Sequence, residues 1–299
     1  MTQSVTRNLG RILVTGAQGF LGSALIARLQ QHGNDVAATD LSSASLPCDL
    51  TNAAKVDAVI QHGYDTIFHC GAVSGPMVLA DRPLAIWQIN ALGTAHVLEA
   101  ARRHGTGRVV ICSTSEVYGP TLRAVDETTL PDPRSVYAAS KLAAEHATQA
   151  YTLEHGLDAV TLRLSWIYGP GRLTPTNLER VLRAGVAGHP ASLDAQAQDM
   201  THYLHIDDAV TGLILAAHAT TLSQRLFNIT AGPGIPTQSV ATLLQRLNPG
   251  ARIDLRPHLN TATGPTLIDN SAAARHLGFH PAMTLDTGLQ AYLHALQSP

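Results

Sequence analysis

Cysteine is scarce in this chain: Cys48, Cys70 and Cys112 are the only three among 299 residues. An odd number placed at or beside strand ends argues against a disulfide framework and for buried free thiols in a reducing compartment. Long apolar runs are missing too. No stretch of about 18 uncharged apolar residues occurs, so no membrane span is expected. Met1-Thr-Gln-Ser-Val-Thr-Arg-Asn8 carries no apolar signal segment, and a cytoplasmic protein is the expectation. Charge is nearly balanced, 20 Lys and Arg against 22 Asp and Glu, which leaves no electrostatic footprint for nucleic acid or an anionic membrane. The 15 histidines include no H-E-x-x-H, and His202-x-x-His205 lacks Cys or carboxylates at zinc-site spacing. No metal is expected. Internal repeats and low-complexity tracts are absent.

What is present is apolar content, 45% of residues, enough for a full core in one or two domains. Arg11-Ile-Leu-Val-Thr15 is a β-branched run that reads as a buried strand. Gly16-Ala-Gln-Gly19-Phe-Leu-Gly22 follows at once, and Ser23 to Gln31 favours helix. Strand, glycine turn and helix are the context of a dinucleotide site. Gly16 permits the tight turn, Gly19 the approach of a pyrophosphate, and Gly22 close helix–strand packing. The phosphates would then meet free N–H groups at the helix start. The spacing is G-x-x-G-x-x-G rather than the commoner G-x-G-x-x-G. A second strand, Asp35-Val-Ala-Ala-Thr39, ends at Asp40. An acid here accepts from ribose hydroxyls and repels a 2′-phosphate. With no Lys or Arg between Asp40 and Asn52, NAD is favoured over NADP.

Strands and amphipathic helices alternate from Gly10 to about Leu164, as in a parallel sheet covered on both faces. Thr66–His69, Val109–Cys112 and Ala159–Leu164 read as later strands. Beyond Tyr168-Gly-Pro-Gly171 the pattern loosens, with isolated strands such as Arg225–Ile229. The expected fold is α/β: a doubly wound, Rossmann-type parallel sheet with a small C-terminal substrate-binding lobe. Residues 1–168 would form the NAD-binding domain with its catalytic residues. Residues 169–299 would form mainly the lobe, with segments near 200–230 returning to the sheet.

Tyr137 and Lys141 lie four residues apart in Ser135-Val-Tyr-Ala-Ala-Ser-Lys141. At i and i+4 of a helix they share a face. A free phenol, with a pKa near ~10, is a poor base at neutral pH. An adjacent ammonium favours the phenolate and lowers that value, towards the range of efficient acid–base catalysis.

Taken together, these motifs resemble the extended short-chain dehydrogenase/reductases of the NAD-dependent epimerase/dehydratase family. Cys48-Asp49-Leu50 is similar to its acidic adenine contact, and His69-Cys-Gly-Ala72 to its small-residue turn beneath the cofactor. Asn90-Ala-Leu-Gly-Thr94 matches its N-x-x-G-T, and Ser113-Thr-Ser-Glu-Val-Tyr-Gly119 precedes Tyr137-x-x-x-Lys141 in the family's order. The resemblance implies cofactor contacts from Gly16, Gln18, Gly19, Phe20, Leu21, Gly22, Asp40, Asp49 and Leu50. It adds Cys70, Gly71, Ala72, Asn90, Tyr137 and Lys141 to that set. It implies that Tyr137 takes a proton from a substrate hydroxyl as hydride leaves the same carbon. Lys141 would hold the nicotinamide ribose and depress the tyrosine pKa, Thr114 would bond the reacting oxygen, and Ser113 would be structural. A homodimer is implied through the helices around 85–104 and 137–154.

The substrate side departs from the family pattern. Trp166, in Arg163-Leu-Ser-Trp166-Ile-Tyr-Gly-Pro170, stands where nucleotide-sugar enzymes usually place an Asn. Thr201 replaces an Arg that binds the diphosphate, and His258-Leu259 replaces the Gly-Asp after the retained Arg256. A buried diphosphate needs charge-assisted partners, so a small free sugar, sugar acid or polyol becomes the leading expectation. Ser74, Ser115, Glu116, Trp166, Arg172 and Arg256 are its candidate contacts, and Arg163 is a further cation. Glu116 serves as a second base in some relatives; beside Ser115 rather than an Asp, a structural or water-organising role is favoured. The expected activity is NAD-dependent oxidation of a secondary alcohol. The alternative is a nucleotide-sugar epimerase or dehydratase that uses the same Thr114, Tyr137 and Lys141. A silent NAD-binding regulator is a third option, opposed by the presence of all three.

Overall fold

The computed structural model describes residues 7–42, 46–172, 174–194, 196–248, 253–256 and 265–297. The first half alternates as its pattern predicts. β1 (Ile12–Thr15), α1 (Phe20–Gln31), β2 (Val36–Thr39), α2 (Ala53–Ile60) and β3 (Thr66–His69) come first. A short α3 (Pro83–Trp87) continues through one π-helical turn into α4 (Gly93–Arg103), followed by β4 (Arg108–Thr114), a two-residue β5 (Ala124–Val125), α5 (Val136–His155) and β6 (Ala159–Leu164). α5 starts where Ser135 Oγ accepts from Ala138 N at 3.0 Å and stops at Gly156, whose φ of 67° only glycine adopts freely.

The second half is built from shorter pieces. These are β7 (Trp166–Tyr168), α6 (Asn177–Val186), β8 (Ala191–Asp194), β9 (Met200–Thr201), β10 (Tyr203–His205) and α7 (Ile206–His218). β11 (Leu226–Ile229), β12 (Ile235–Pro236), α8 (Thr237–Leu247), β13 (Ile253–Arg256), β14 (Leu267–Ile268), α9 (Ser271–Leu277) and α10 (Leu285–Gln297) complete it.

Six strands form one parallel sheet in the order β11-β6-β4-β3-β1-β2. The order reverses between β1 and β3, where doubly wound sheets open a ligand crevice at their carboxyl ends. β11 pairs with β6 from Leu226 opposite Thr161 to Ile229 opposite Leu164, so a late segment does return to the sheet. One apolar core lies between the sheet and α1, α7 and α9, centred on Phe68, Phe227 and Phe279. A second fills the face under α2 and α4 around Ile67, Val97 and Ile111. A third, around Leu182, Leu244 and Leu289, holds α6, α8 and α10 together beside the carboxyl ends of the strands.

Candidate active site

The strand ends and the C-terminal part enclose a cleft of about 860 Å³. Its floor starts at the glycine turn. A Cβ on Gly22 would come within 2.1 Å of Gly16 O, and one on Gly16 (φ 67°) within 2.6 Å of the Gly71 backbone. Only glycine lets α1 and the end of β3 come this close. α1 has no side chain capping its start and no acid in its first turn, so its N–H groups and dipole are free for an anion.

Of the expected site residues whose side chains the structure describes, all but Asn90 and Arg163 line this cleft. At one end Asp40 Oδ2 accepts from Gln18 N at 3.0 Å, tying the glycine turn to the end of β2. Asp49 accepts from Thr51 N and Oγ1 at 2.9 and 2.7 Å. The Thr51 side-chain bond, followed by the backbone bond, holds its carboxyl below the usual range. A cradle of glycine backbone, an uncapped helix start and two carboxylates fits a dinucleotide whose ribose carries no phosphate.

At the other end Tyr137, Thr114 and Glu116 meet. Burial pushes the Tyr137 phenol up to about 12, and the charges of Glu116 and Cys112 add to it. Hydrogen bonds from the Thr114 side chain and the Gly75 backbone pull the other way. The lowering that the sequence expects from Lys141 does not offset this burial. The ammonium is itself buried, which lowers its pKa, and its neighbouring acidic groups are Cys112, Glu145 and Cys70. Desolvation therefore outweighs the cation next door. Burial also raises the Glu116 carboxyl, which is reachable from the cleft but surrounded by protein on its other sides. Cys70 and Cys112 are free thiols with Sγ atoms 3.7 Å apart, and Cys48 is free and buried.

Asn90, expected at the cofactor, does not reach the cleft. It is fully buried, with Oδ1 accepting from Val73 N at 2.8 Å and Nδ2 donating to Val73 O and Ser140 Oγ at 3.2 and 3.0 Å. Ser140 donates in turn to Tyr137 O at 2.7 Å. Every polar atom of the amide is used to strap the turn after β3 to α5, so none remains for a ligand.

Arg163 is also removed from the substrate set. It is buried against Glu145 at 2.7 Å, Glu145 accepts from Ser113 Oγ, and the guanidinium lies 4.8 Å from the Tyr118 ring centre. Ser113, which also lines the cleft, is tied to this buried pair. Trp166 and Arg172 face the cleft together, whereas Thr201 does not line it. The side chain of Arg256 and residues His258 and Leu259 lie outside the described residues.

Sequence reasoning missed three contributors. Gly75 holds φ 97° in Ser74-Gly75-Pro76, and that turn signature was legible. Leu79, at φ 53°, is the one non-glycine residue with positive φ among those described, a strained conformation in a segment that lines the cleft. Arg82 lines the cleft from the start of α3, and nothing in its sequence context marks it.

The chain is similar along almost its whole length to known enzymes. It is 30% identical to the dTDP-glucose 4,6-dehydratase of Streptomyces griseus, covering 94% of this chain and 92% of that one. It is 27% identical to the UDP-glucose 4-epimerase of Corynebacterium glutamicum over 92% of each. The structure of MoeE5 in complex with UDP-glucuronic acid and NAD superposes with a TM-score of 0.87 at 28% identity, covering 95% of this chain and 98% of that one. The model of the NAD dependent epimerase/dehydratase family matches residues 12–230. With the glycine turn, Asp40 and the Thr114, Tyr137 and Lys141 triad set around one cleft, the chain belongs to that family and is an NAD-dependent enzyme.

Proposed function

We propose that this enzyme oxidises a hydroxyl of a nucleotide-linked sugar and returns the hydride within the same turnover, as an epimerase or dehydratase. The observation that carries this reading is similarity to a dehydratase and an epimerase of nucleotide sugars over at least 92% of both chains. Free-sugar oxidation, the leading expectation from Trp166 and Thr201, becomes the second reading. Its support is that Thr201 stands outside the cleft while Trp166 and Arg172 occupy the wall. Within the proposal, residues 1–168 bind NAD and carry the catalytic groups, and 169–299 mainly enclose the substrate.

Tyr137 accepts the hydroxyl proton, and Thr114, bonded to the same phenol, holds the reacting oxygen. Lys141 lies one turn further along α5 and would hold the nicotinamide ribose. NAD held here would supply the hydride acceptor. Gly75 keeps the phenol oriented. Ser115 cannot act as an acid where one group of dehydratases has Asp, which favours epimerisation over dehydration.

The test is incubation with UDP-glucose, dTDP-glucose and a panel of free sugars and sugar acids, following NADH absorbance and products by NMR. Conversion of a nucleotide sugar without net NADH is the expected result. Stoichiometric NADH from a free acid, with no nucleotide sugar converted, would establish the second reading instead.

A further inference from the structure

Arg172 is held in the cleft with no carboxylate partner among the described residues. Its guanidinium carbon lies 5.9 Å from the Phe20 ring centre and 5.3 Å from that of Trp166, both within cation–π range. Phe20 opens α1 and Trp166 opens β7, so the side chain is fixed between the glycine turn and the first strand of the C-terminal part. Nη1 donates to Ile167 O. Nε is buried with no hydrogen-bond partner, and no bond of Nη2 occurs among the described residues. Other buried arginines are neutralised: Arg163 by Glu145 at 2.7 Å and Arg108 by Asp158 at 2.8 Å. The carboxylate that acts on the Arg172 charge is Glu179, which is paired with Arg183 at 2.8 Å. The Trp166 indole has no acceptor to offer.

A buried donor left unmade is costly, and a guanidinium edge of two parallel donors matches the two oxygens of a carboxylate. The guanidinium lines the same cleft as Tyr137 and Thr114. We infer that Arg172 determines specificity: its Nε–Nη2 edge reads a carboxylate on the sugar ring, so that the substrate is a sugar acid, nucleotide-linked if the function proposed above holds. Trp166 acts as the positioning residue for that guanidinium. It fills space that an amide would leave open and keeps the charged group in one orientation.

The experiment compares UDP-glucuronate, UDP-glucose and free glucuronate on the NAD-loaded protein, by calorimetry and by turnover. Arg172→Met and Arg172→Lys are assayed alongside, with NAD affinity as the check that each variant folds. The unmodified protein should favour an acid over the neutral sugar by at least ~10-fold. Arg172→Met should lose roughly 10- to 100-fold in kcat/KM on the acid, the scale of a lost charge-assisted bond, and little on the neutral sugar. Arg172→Lys should recover only part, because an ammonium lacks the fork. Equal losses on UDP-glucuronate and UDP-glucose would assign Arg172 to the diphosphate and overturn the proposal. So would a loss confined to NAD affinity, or no binding of either acid. Reaction of free glucuronate alone keeps Arg172 as the reader while refuting the nucleotide-linked class. Turnover of UDP-glucose with indifference to both acids does the opposite.

Discussion

At the scale of single residues, the site divides into groups that touch the reaction and groups that hold them. Tyr137→Phe removes the proton acceptor but leaves the pocket wall in place. Turnover should fall at least ~100-fold, the scale of a lost general base, while NAD affinity in calorimetry stays within a few-fold. The phenol is pushed up to about 12 by burial, and it acts as a base only when deprotonated. The rate should therefore rise with pH on the alkaline side, and this limb should vanish in Tyr137→Phe. A pH–rate profile of both proteins checks the sign. Asp40→Ala should weaken NAD and narrow its advantage over NADP, because the carboxylate orients Gln18 N and would accept from the ribose hydroxyls. Tighter binding of NADP by the unmodified protein would defeat that assignment. These residues were legible because their chemistry is tied to fixed spacing: four residues on a helix, or the end of the second strand. Lys141's electrostatic partners were not legible. Cys70, Cys112 and Glu145 come from two strand ends and one further turn of α5, and only the folded sheet brings them to the ammonium.

At the scale of elements, the junction between β1, β3, the π-helical turn and α5 is fixed by a chain of buried polar groups. Thr15 Oγ1 lies 2.8 Å from His69 Nδ1 and accepts from Gly71 N at 3.1 Å. His69 Nε2 lies 3.0 Å from Thr94 Oγ1, which donates to Asn90 O at 2.6 Å. Since Thr94 uses its hydrogen on that carbonyl, His69 donates from Nε2 and accepts at Nδ1, a neutral imidazole. Burial lowers its pKa to about 3, with the Lys141 charge adding to the effect. The folded value is depressed, so its contribution to stability is fully present above the unfolded pKa near ~6.5 and is lost as pH falls towards 3. Urea unfolding should show a slope of up to about 1.4 kcal/mol per pH unit from this one proton in that window. His69→Gln should reduce the slope. Asn90→Ala leaves Val73 N–H and C=O unpaired and should cost about 1–3 kcal/mol, read as a lower melting temperature. The buried strands of this junction were readable as apolar runs. The two- and three-residue strands of the C-terminal part, such as β9 with Pro236 of β12 opposite Met200, were not, because pairing this short is decided by distant chain segments rather than by local pattern.

At the scale of the whole molecule, the surface that remains apolar is informative. Leu84, Trp87 and Leu92 are 68%, 38% and 48% exposed, and Leu153 near the end of α5 is 76% exposed. They sit on the two helical segments from which the sequence implied a homodimer, and the pattern could not say which side chains would be left uncovered. An exposed Leu alone is ordinary; three large apolar residues within nine positions of one helical segment are a candidate for burial in a self-associated form. Pairing α3, α4 and α5 with a second copy would cover them and leave the cleft open at the carboxyl ends of the strands. The expected species in sedimentation equilibrium is twice the 31.6 kDa of one chain. Leu84→Asp together with Trp87→Ser should shift it to the monomer, since a charge buried in an apolar interface costs several kcal/mol. Because α3 also lines the NAD cleft through Arg82 and Ala85, NAD affinity in the monomeric variant separates two outcomes. Unchanged binding means that the interface only buries surface. Weakened binding means that dimer contacts also hold α3 against the cofactor. A monomer at all concentrations in the unmodified protein would leave this apolar surface without the partner argued for here.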